Sequence, residues 1–179
     1  MILAFSGRKS SGKSALADEF EAQYVGITRL SFAEPLKQAF KPLFLFSDKQ
    51  LYGEDKEAID PRWGVSPRWA MQHLATDFLR DQVHKDFFLK HMDLRLESLG
   101  GEAALVLVDD VRFANEQQLL KKHGALLIHI VRDGGEKDAH SSENSLDKSL
   151  FDAVLQNDST LATLSKRLHE AIKRHGRTI

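Results

Sequence analysis

Short runs of apolar residues along the chain predict β-strands, and stretches with helical periodicity separate them. Runs of this kind predict five strands, at residues 2–5, 27–32, 104–108, 126–131 and 151–157. Strands that alternate with helices favour a largely parallel sheet covered by helices on both faces. The sequence therefore predicts an α/β fold of three layers, with a mostly parallel five-stranded sheet in the middle.

A helix is predicted from Ser66, a good N-cap residue, to about His84. Apolar residues at helical spacing are expected to face the core, namely Ala70, Met71, Leu74, Ala75, Phe78 and Leu79. Polar residues at every fourth position predict a separate polar ridge of Arg68, Gln72, Thr76 and Arg80. Such a ridge is either an exposed polar face or a surface that holds a phosphate and a base. Arg68, in the first turn, is the main candidate for the phosphate.

Residues 47–66 are predicted to be an irregular segment that covers a site, because the segment is too long and too rich in special residues to be a simple connection. Arg62 and Trp63 are its candidate contacts, although tryptophan also suits a core. Ser31 and Lys37 are candidates because they follow the second strand, at the end where open α/β sheets bind ligands. A solvated charge is the alternative for Lys37.

The first strand leads into residues 7–14, Gly-Arg-Lys-Ser-Ser-Gly-Lys-Ser, which match the phosphate-binding pattern G-x-x-x-x-G-K-[ST] at every fixed position. Gly7 and Gly12 allow backbone N–H groups to point at a phosphate, and the helix that follows adds its own N–H groups and dipole. Lys13 supplies a cation for the outer phosphates, and the Ser14 hydroxyl suits Mg²⁺. A glycine-rich turn is the alternative, but the strand before the loop and the helix after it favour nucleotide binding.

Two adjacent carboxylates, Asp109 and Asp110, follow the most strand-like run of the chain. Beside a phosphate loop, an acid at this position completes the shell of a Mg²⁺ ion. Because side chains alternate along a strand, one of the two is expected to face the metal, and the sequence leaves open which. Arg112 lies two residues further on and is a candidate for the same side.

A lid is predicted at about residues 132–150. The stretch combines glycine with charge, which suits a mobile cover over a reacting phosphoryl group. Arg132 and Lys137 would be its working cations. An ordinary solvated loop is the alternative.

Composition narrows the function classes. The net charge of -1 disfavours binding to polymeric nucleic acid, for which a basic excess is typical. The chain has no cysteine, which excludes disulfides and thiolate metal sites. No stretch approaches the roughly 18 apolar residues of a membrane span. We expect one domain over residues 1–179, soluble and cytoplasmic, that acts on small molecules. A homodimer is left open.

Several blocks, in this order along the chain, resemble the deoxynucleoside monophosphate kinases of bacteriophage type. They are Phe5-Ser6-Gly7 with the phosphate loop, Ser31-Phe32-Ala33, Ser66-Pro67-Arg68-Trp69 with residues 72–77, residues 108–113 with Asn115-Glu116, and Asn157-Asp158. The phosphate loop belongs to a vast superfamily, whereas the helix block from Ser66 to Arg80 and the block Asp109-Asp110-Val111-Arg112-Phe113 are far more specific. Ala114 departs from the pattern, since a proline is expected there.

The resemblance implies a P-loop kinase fold that transfers the γ-phosphate of ATP to a deoxynucleoside 5′-monophosphate with Mg²⁺. Carried to this chain, it implies that ATP is bound by Gly7, Arg8, Lys9, Ser10, Ser11, Gly12, Lys13 and Ser14, with Asn157 near the adenine. Ser14 with Asp109 or Asp110 would hold Mg²⁺. The acceptor would bind Arg68, Gln72 and Asp77 in an excursion at about 33–100, with Ser31, Lys37, Trp63, Asp110 and Arg112 as further candidates. Lys13, Arg68 and Arg132 would carry the catalysis, in the host cytoplasm if the gene is viral.

Two other functions stay open on the sequence alone. One is a kinase of the same fold with another acceptor, such as phosphomevalonate or dephospho-coenzyme A, although Trp63 and Trp69 favour a nucleobase. The other is a nucleotide-hydrolysing switch or partner-binding module. The excursion and the lid favour a kinase, because they suit covers for a second small molecule.

Overall fold

A parallel sheet organises the part of the chain that the structure, a computed structural model, describes, which is residues 1–100, 105–132 and 146–177. Its five strands within these ranges are β1 (Ile2–Ser6), β2 (Ile27–Leu30), β3 (Leu105–Val111), β4 (Leu126–Val131) and β5 (Ala153–Gln156). Their spatial order is β2-β3-β1-β4-β5, and all neighbouring pairs are parallel. The predicted α/β fold with a mostly parallel five-stranded sheet is confirmed.

The described helices are α1 (Lys13–Gln23), α2 (Glu34–Phe44), α3 (Asp48–Tyr52), α4 (Pro67–His73), α5 (Phe87–Ser98), α6 (Ala114–Lys122) and α7 (Leu161–Arg174). Two 3₁₀ turns lie at Glu54–Glu57 and Lys148–Leu150, and a π-helix lies at Leu74–Val83. No helix in the described ranges has both the length and the apolar character needed to cross a membrane.

One face of the sheet packs against α1 and α7. Leu3 and Phe5 of β1 share a buried cluster with Leu16 and Phe20 of α1 and Leu168 of α7. Successive side chains of a strand point to opposite faces, so Ala4 points to the other face of the sheet. Ala4 is buried as well. The first strand is therefore covered on both faces, which explains why it is an unbroken apolar run in the sequence.

Helix α6 begins at Ala114, the position at which the sequence pattern predicts proline. The first N–H of a helix has no partner inside the helix, so proline is favoured there, and alanine, the best helix former, also fits. The turn before the helix is fixed by Glu116, which is buried. Its Oε2 accepts the N–H groups of Arg112 (2.7 Å) and Phe113 (3.2 Å).

The chain divides into two compact units, which we call the sheet unit and the helical unit. The sheet unit comprises Met1–Ser31 and Asp93–Ile179, and the helical unit comprises Phe32–Met92. In the helical unit the rings of Phe40, Phe44 and Phe46 stack on one another. Further buried side chains of this unit are Leu36, Leu51, Ala70 and Phe88.

The helix predicted from Ser66 to His84 changes its winding part-way along. It begins as predicted, with Ser66 Oγ accepting the N–H of Trp69 at 3.2 Å, but α4 ends at His73 and a π-helix follows. Because a π-helix bonds residue i to residue i+5, side chains four positions apart no longer share one face. The predicted apolar stripe and polar ridge are therefore wrong beyond His73. Phe78, expected in the core, is 47% exposed.

The segment predicted to be irregular, residues 47–66, contains α3 and a 3₁₀ turn. Helix α3 begins with a capping box, in which Ser47 Oγ accepts the N–H of Gln50 (3.3 Å) and the Gln50 side chain accepts the N–H of Ser47 (2.9 Å). The Ser-x-x-Gln spacing is the sequence signal for this helix that the prediction missed.

Asp60 organises the turn that follows. Its carboxylate is buried and accepts Nε (2.9 Å) and Nη2 (2.6 Å) of Arg62 and Nε2 of Gln50 (2.8 Å). The hydrogen bonds from Arg62 outweigh the burial and hold the pKa of Asp60 well below its ordinary value. Trp63 is tied down as well, because its Nε1 donates to the carbonyl oxygen of Phe44 at 2.8 Å.

Replacing Thr160 by Ala should weaken the start of α7, where Thr160 Oγ1 accepts the N–H of Thr163 at 3.2 Å. We expect the free energy of unfolding to fall by about 1 kcal/mol, the usual loss for an N-cap hydrogen bond. Urea denaturation followed by circular dichroism measures the change. Ser159→Ala, one residue outside the cap, is the control, and equal losses in the two variants would contradict the capping role.

Asp60→Asn should lower the midpoint of thermal unfolding at neutral pH and matter little in acid. Because the folded-state pKa of Asp60 lies below the ordinary value, the ionised carboxylate stabilises the fold above that ordinary value, about pH 4. The contribution is lost as the pH falls through the folded-state pKa. Melting curves from neutral pH downward test this, with Glu54→Gln on the neighbouring 3₁₀ turn as the control. A difference between variant and unmodified chain that does not change with pH would rule the ionised carboxylate out as the cause.

Candidate functional site

The phosphate-binding pattern folds into a loop between β1 and α1. Gly7 has a φ of +145°, and a Cβ there would lie 2.3 Å from the carbonyl oxygen of Ile130. Gly12 has a φ of +100°, and a Cβ there would lie 2.4 Å from Asn157 Nδ2. Residues that have a side chain rarely adopt these backbone conformations. At both positions a Cβ would also be too close to a neighbouring atom. Both glycines of the pattern are therefore required by the loop itself.

Lys13, the first residue of α1, turns back across the loop. Its Nζ donates to the carbonyl oxygens of Gly7 and Arg8, both at 2.6 Å. A cavity of about 320 Å³ lies beside it, lined by Ser10, Gly12, Lys13, Ser14, Ala15 and Arg132. Arg132 directly follows β4, the neighbour of β1, so the strand order brings it to this cavity. Two basic residues and Ser14 thus line one cavity. Arg8 and Lys9 of the same loop are exposed, and Ser11 is buried.

The loop is also held from the end of β5. Asn157, the residue after β5, donates from Nδ2 to the carbonyl oxygen of Ser11 at 2.9 Å. Its own N–H donates to the carbonyl oxygen of Val131 at 2.7 Å. Asn157 therefore joins the last residue of β4 to the phosphate loop.

Asp109 and Asp110 lie within β3, which extends to Val111 and does not end at Val108 as predicted. Ala4 of β1 pairs with Val108, but Ser6 pairs with Val111, so β3 carries one extra residue here. Such a bulge bends the strand locally. The two acids therefore sit in a bulge beside the end of β1, next to the start of the phosphate loop.

Arg29 of β2 holds Asp109 in an ion pair, with 2.5 Å between Nη2 and Oδ2. Its Nη1 contacts Asp18 (2.5 Å) and Glu21 (3.3 Å) of α1. Partial burial lowers the pKa of Arg29, but the hydrogen bonds to Asp109 and Asp18 outweigh it and raise the pKa above its ordinary value. Arg29 belongs to no recognisable motif and lies far from Asp109 in the sequence. The sequence alone therefore gives no indication of this ion pair.

Oxygen donors suited to Mg²⁺ lie at this edge of the sheet. The Ser14 residue lines the cavity beside Lys13, and Asp109 and Asp110 lie on the strand next to β1. Mg²⁺ prefers oxygen ligands and is commonly held by one or two carboxylates together with substrate phosphates. Among the described residues, no group of three or more His, Asp or Glu could hold a metal. The hydroxyl oxygen of Ser14 and the carboxylate oxygens of Asp109 and Asp110 are of the chemical type that Mg²⁺ binds.

In the helical unit, Arg68 of α4 pairs with Glu57 of the preceding 3₁₀ turn, with 2.8 Å between Nη1 and Oε1. Both side chains are at the surface. Gln72 and Asp77 are exposed, the first on α4 and the second on the π-helix. His73 lies between them, stacked on the ring of Trp69 with 3.9 Å between centroids.

Of the other predicted site residues, Trp63 is partly exposed and packs edge-on against Phe44. Lys37 Nζ lies 4.6 Å above the centre of the Tyr52 ring, a cation–π contact. Ser31 follows β2 and Arg112 follows β3, at the same edge of the sheet as the phosphate loop. Of the predicted lid, residues 133–145, Lys137 among them, lie outside the described residues.

The chain matches a family model described as deoxynucleotide monophosphate kinase over residues 46–168. A protein of Acanthamoeba polyphaga mimivirus whose name includes deoxynucleotide monophosphate kinase is 40% identical over 176 residues, which cover 90% of each chain. The deoxynucleotide monophosphate kinase of Escherichia phage RB69 is 27% identical over 158 residues, which cover 86% of this chain and 62% of the phage protein.

Among solved structures, the dephospho-CoA kinase from Campylobacter jejuni is similar with a TM-score of 0.54 and 12% identity, over 97% of this chain and 96% of the other. At this identity the likeness shows the fold alone. The family model and the mimivirus relative go further and confirm the resemblance seen in the sequence. The chain belongs to the deoxynucleotide monophosphate kinase family.

Proposed function

We propose that the chain transfers the γ-phosphate of ATP to the 5′-phosphate of a deoxynucleoside monophosphate, yielding ADP and the diphosphate. The observation that carries the proposal is the folded phosphate loop, at which Lys13, Ser14 and Arg132 line one cavity. Membership of the kinase family and the names of the mimivirus and phage relatives support the choice of acceptor.

The donor is proposed to bind the loop from Gly7 to Ser14. The N–H groups and the dipole at the start of α1 attract its phosphates. Lys13 would exchange its hydrogen bonds to the Gly7 and Arg8 carbonyls for bonds to the outer phosphates. Arg132, at the same cavity, would offset the charge that spreads over the transferring group.

Ser14, with Asp109 or Asp110, is proposed to hold the Mg²⁺ ion that accompanies ATP. When bound, the ion would supply positive charge that offsets the charge of the ATP phosphates. Asp109 also forms an ion pair with Arg29. It would therefore hold Arg29 in place whichever of the two carboxylates contacts the metal.

The acceptor is proposed to bind the helical unit through Arg68, Gln72 and Asp77. A guanidinium group grips a phosphate with two parallel hydrogen bonds. Glu57, the present partner of Arg68, is exposed, and exposed ion pairs contribute only about 0–1 kcal/mol. A phosphate dianion can therefore replace the Glu57 carboxylate. The further acceptor candidates are Trp63, Lys37, Ser31, Asp110 and Arg112.

Phosphoryl transfer requires the protein to position the two substrates and to neutralise their charge, and it requires little covalent catalysis. An acceptor phosphate has a second pKa of about 6 and is largely ionised at neutral pH. Its oxygen attacks the γ-phosphorus in line while the bond to the β-phosphate oxygen breaks, so no general base is required. Lys13, Arg68 and Arg132 would offset the repulsion between the two anions.

We further propose that residues 1–179 act as one kinase domain, with an acceptor-binding excursion at about 33–100 and a lid at about 132–150. The compact helical unit Phe32–Met92 supports the excursion. The absence of cysteine fits a reducing compartment such as the cytoplasm, which is the proposed location. A homodimer remains one option for the assembly.

A coupled assay of ADP release against a panel of acceptors tests the function. We expect release to need Mg²⁺ and to be stimulated by at least one deoxynucleoside monophosphate, but not by phosphomevalonate or dephospho-coenzyme A. Lys13→Ala should lower kcat by about 10²–10³-fold, the usual loss when one preorganised charge-stabilising donor is removed. Lys173→Ala, on the exposed end of α7, is the control. Slow release that no acceptor stimulates would contradict the kinase and support a hydrolysing switch.

Arg68→Ala should raise the KM for the acceptor and leave the KM for ATP near that of the unmodified chain. We expect a rise of about 10–100-fold, the usual loss of a hydrogen bond to a charged group. Glu57→Gln is the matched control, because it breaks the same ion pair and keeps the guanidinium group. We expect this variant to bind the acceptor at least as well as the unmodified chain. If both variants lose the acceptor equally, the ion pair matters and Arg68 does not hold the phosphate.

A further inference from the structure

We propose that Asn157 positions the phosphate loop by fixing the direction of one peptide group, and that this role is independent of the base of the nucleotide. The inference rests on the proposed function only in that the loop binds the phosphates of the donor. It differs from the role implied by the family resemblance, in which Asn157 lies near the adenine.

The first step is the hydrogen bond between Asn157 Nδ2 and the carbonyl oxygen of Ser11, at 2.9 Å. The Ser11 carbonyl and the Gly12 N–H belong to the same peptide group. In a planar trans peptide the C=O and N–H bonds point in opposite directions. Holding the carbonyl oxygen toward Asn157 therefore aims the Gly12 N–H away from Asn157. Gly12 also lines the cavity with Lys13 and Ser14, where the phosphates are proposed to bind.

The second step is that this peptide needs an external constraint. It lies between the Cα atoms of Ser11 and Gly12, and Gly12 has a φ of +100°. Glycine adopts positive and negative φ about equally well, so the local chain alone does not fix the orientation of the peptide. The reversed orientation would present a carbonyl oxygen to the phosphates in place of an N–H group, and two negatively polarised groups would then meet.

The third step is that Asn157 is itself well anchored. Its N–H donates to the carbonyl oxygen of Val131 at 2.7 Å. The residues on either side are held by Arg167 of α7, which donates to the carbonyl oxygen of Gln156 and to Asp158. The hydrogen bond from Arg167 also lowers the pKa of Asp158, so this anchor stays charged at neutral pH. The amide that holds the loop is thus fixed by β4 and by α7.

The fourth step is the close packing of the amide on the loop. A Cβ at residue 12 would lie 2.4 Å from Asn157 Nδ2, so the amide rests directly on the Cα of Gly12. The glycine of the pattern and Asn157 therefore fit each other. Gly12 is needed for its positive φ and also because Asn157 occupies the space of a side chain.

A ligand without a base separates a loop-positioning role from a base contact. Inorganic tripolyphosphate with Mg²⁺ carries the phosphates of ATP and no adenine. We expect Asn157→Ala to weaken the binding of tripolyphosphate and of ATP by the same factor. That factor is about 10-fold, corresponding to the loss of one hydrogen bond. Isothermal titration calorimetry on the full chain measures both affinities.

Asn157→Asp keeps the size of the side chain but has no amide donor, so it should weaken both ligands at least as much. Gln156→Ala, whose exposed side chain lies one residue before, is the control and should bind both ligands like the unmodified chain. Thermal unfolding of each variant shows that it is folded at the temperature of the titration. If one Asn157 variant does not fold, the other carries the test.

Loss of ATP binding with normal tripolyphosphate binding would overturn the proposal in favour of a contact with the base. Normal binding of both ligands by the Asn157 variants would also overturn it. If the unmodified chain binds neither ligand, the proposed function fails, and this inference fails with it. The two failures are distinguishable, because the unmodified chain still binds ATP when only the inference about Asn157 is wrong.

Discussion

The parallel pairing of β1 with a strand on each side is the constraint on which the sheet unit depends. Ala4 of β1 lies opposite Val108 of β3 and Leu127 of β4. Because every neighbouring pair is parallel, the carboxyl ends of all five strands meet at one edge. The phosphate loop follows β1, the two acids lie near the end of β3, Arg132 follows β4 and Asn157 follows β5. Strand order alone thus gathers the polar groups of this edge from distant parts of the chain.

Within that edge, side-chain donors decide which backbone groups the loop presents to a ligand. Lys13 donates to the carbonyl oxygens of Gly7 and Arg8, and Asn157 donates to that of Ser11. A buried or half-buried carbonyl needs a donor, and these side chains supply it on the protein side. What the loop and the start of α1 can then offer to an anion is N–H groups. The two side chains therefore shape the proposed anion site in different ways. Asn157 binds the loop and not the anion, whereas Lys13 can release the two carbonyl oxygens and bind the anion.

Prediction from the sequence is most accurate where a single hydrophobic pattern or a single fixed motif determines the local structure. Strand β4 has the bounds that the sequence predicts, because all of its residues except His129 are apolar. The prediction from Ser66 to His84 failed half-way, since a 3.6-residue period carries no sign of a π-helix. Which of Asp109 and Asp110 faces the metal stays a prediction, because alternation of side chains leaves two choices, and neither the bulge nor the pairing with Arg29 can be read from the sequence. Contacts such as Arg29 with Asp109 join residues remote in sequence, and nothing local encodes them.

The balance of charge explains how an acidic edge can serve an anion. Asp109 lies beside the loop, and alone it would repel a polyphosphate. Arg29 lies 2.5 Å from Asp109 and offsets part of its charge, and because both side chains are partly buried, salt screens this pair less than an exposed pair. Arg29 therefore reduces the repulsion between Asp109 and a polyphosphate. The chain as a whole, with a net charge of -1, has no general attraction for anions. Attraction must be local, and it depends on cations such as Lys13 and Arg132, which line the cavity at the loop.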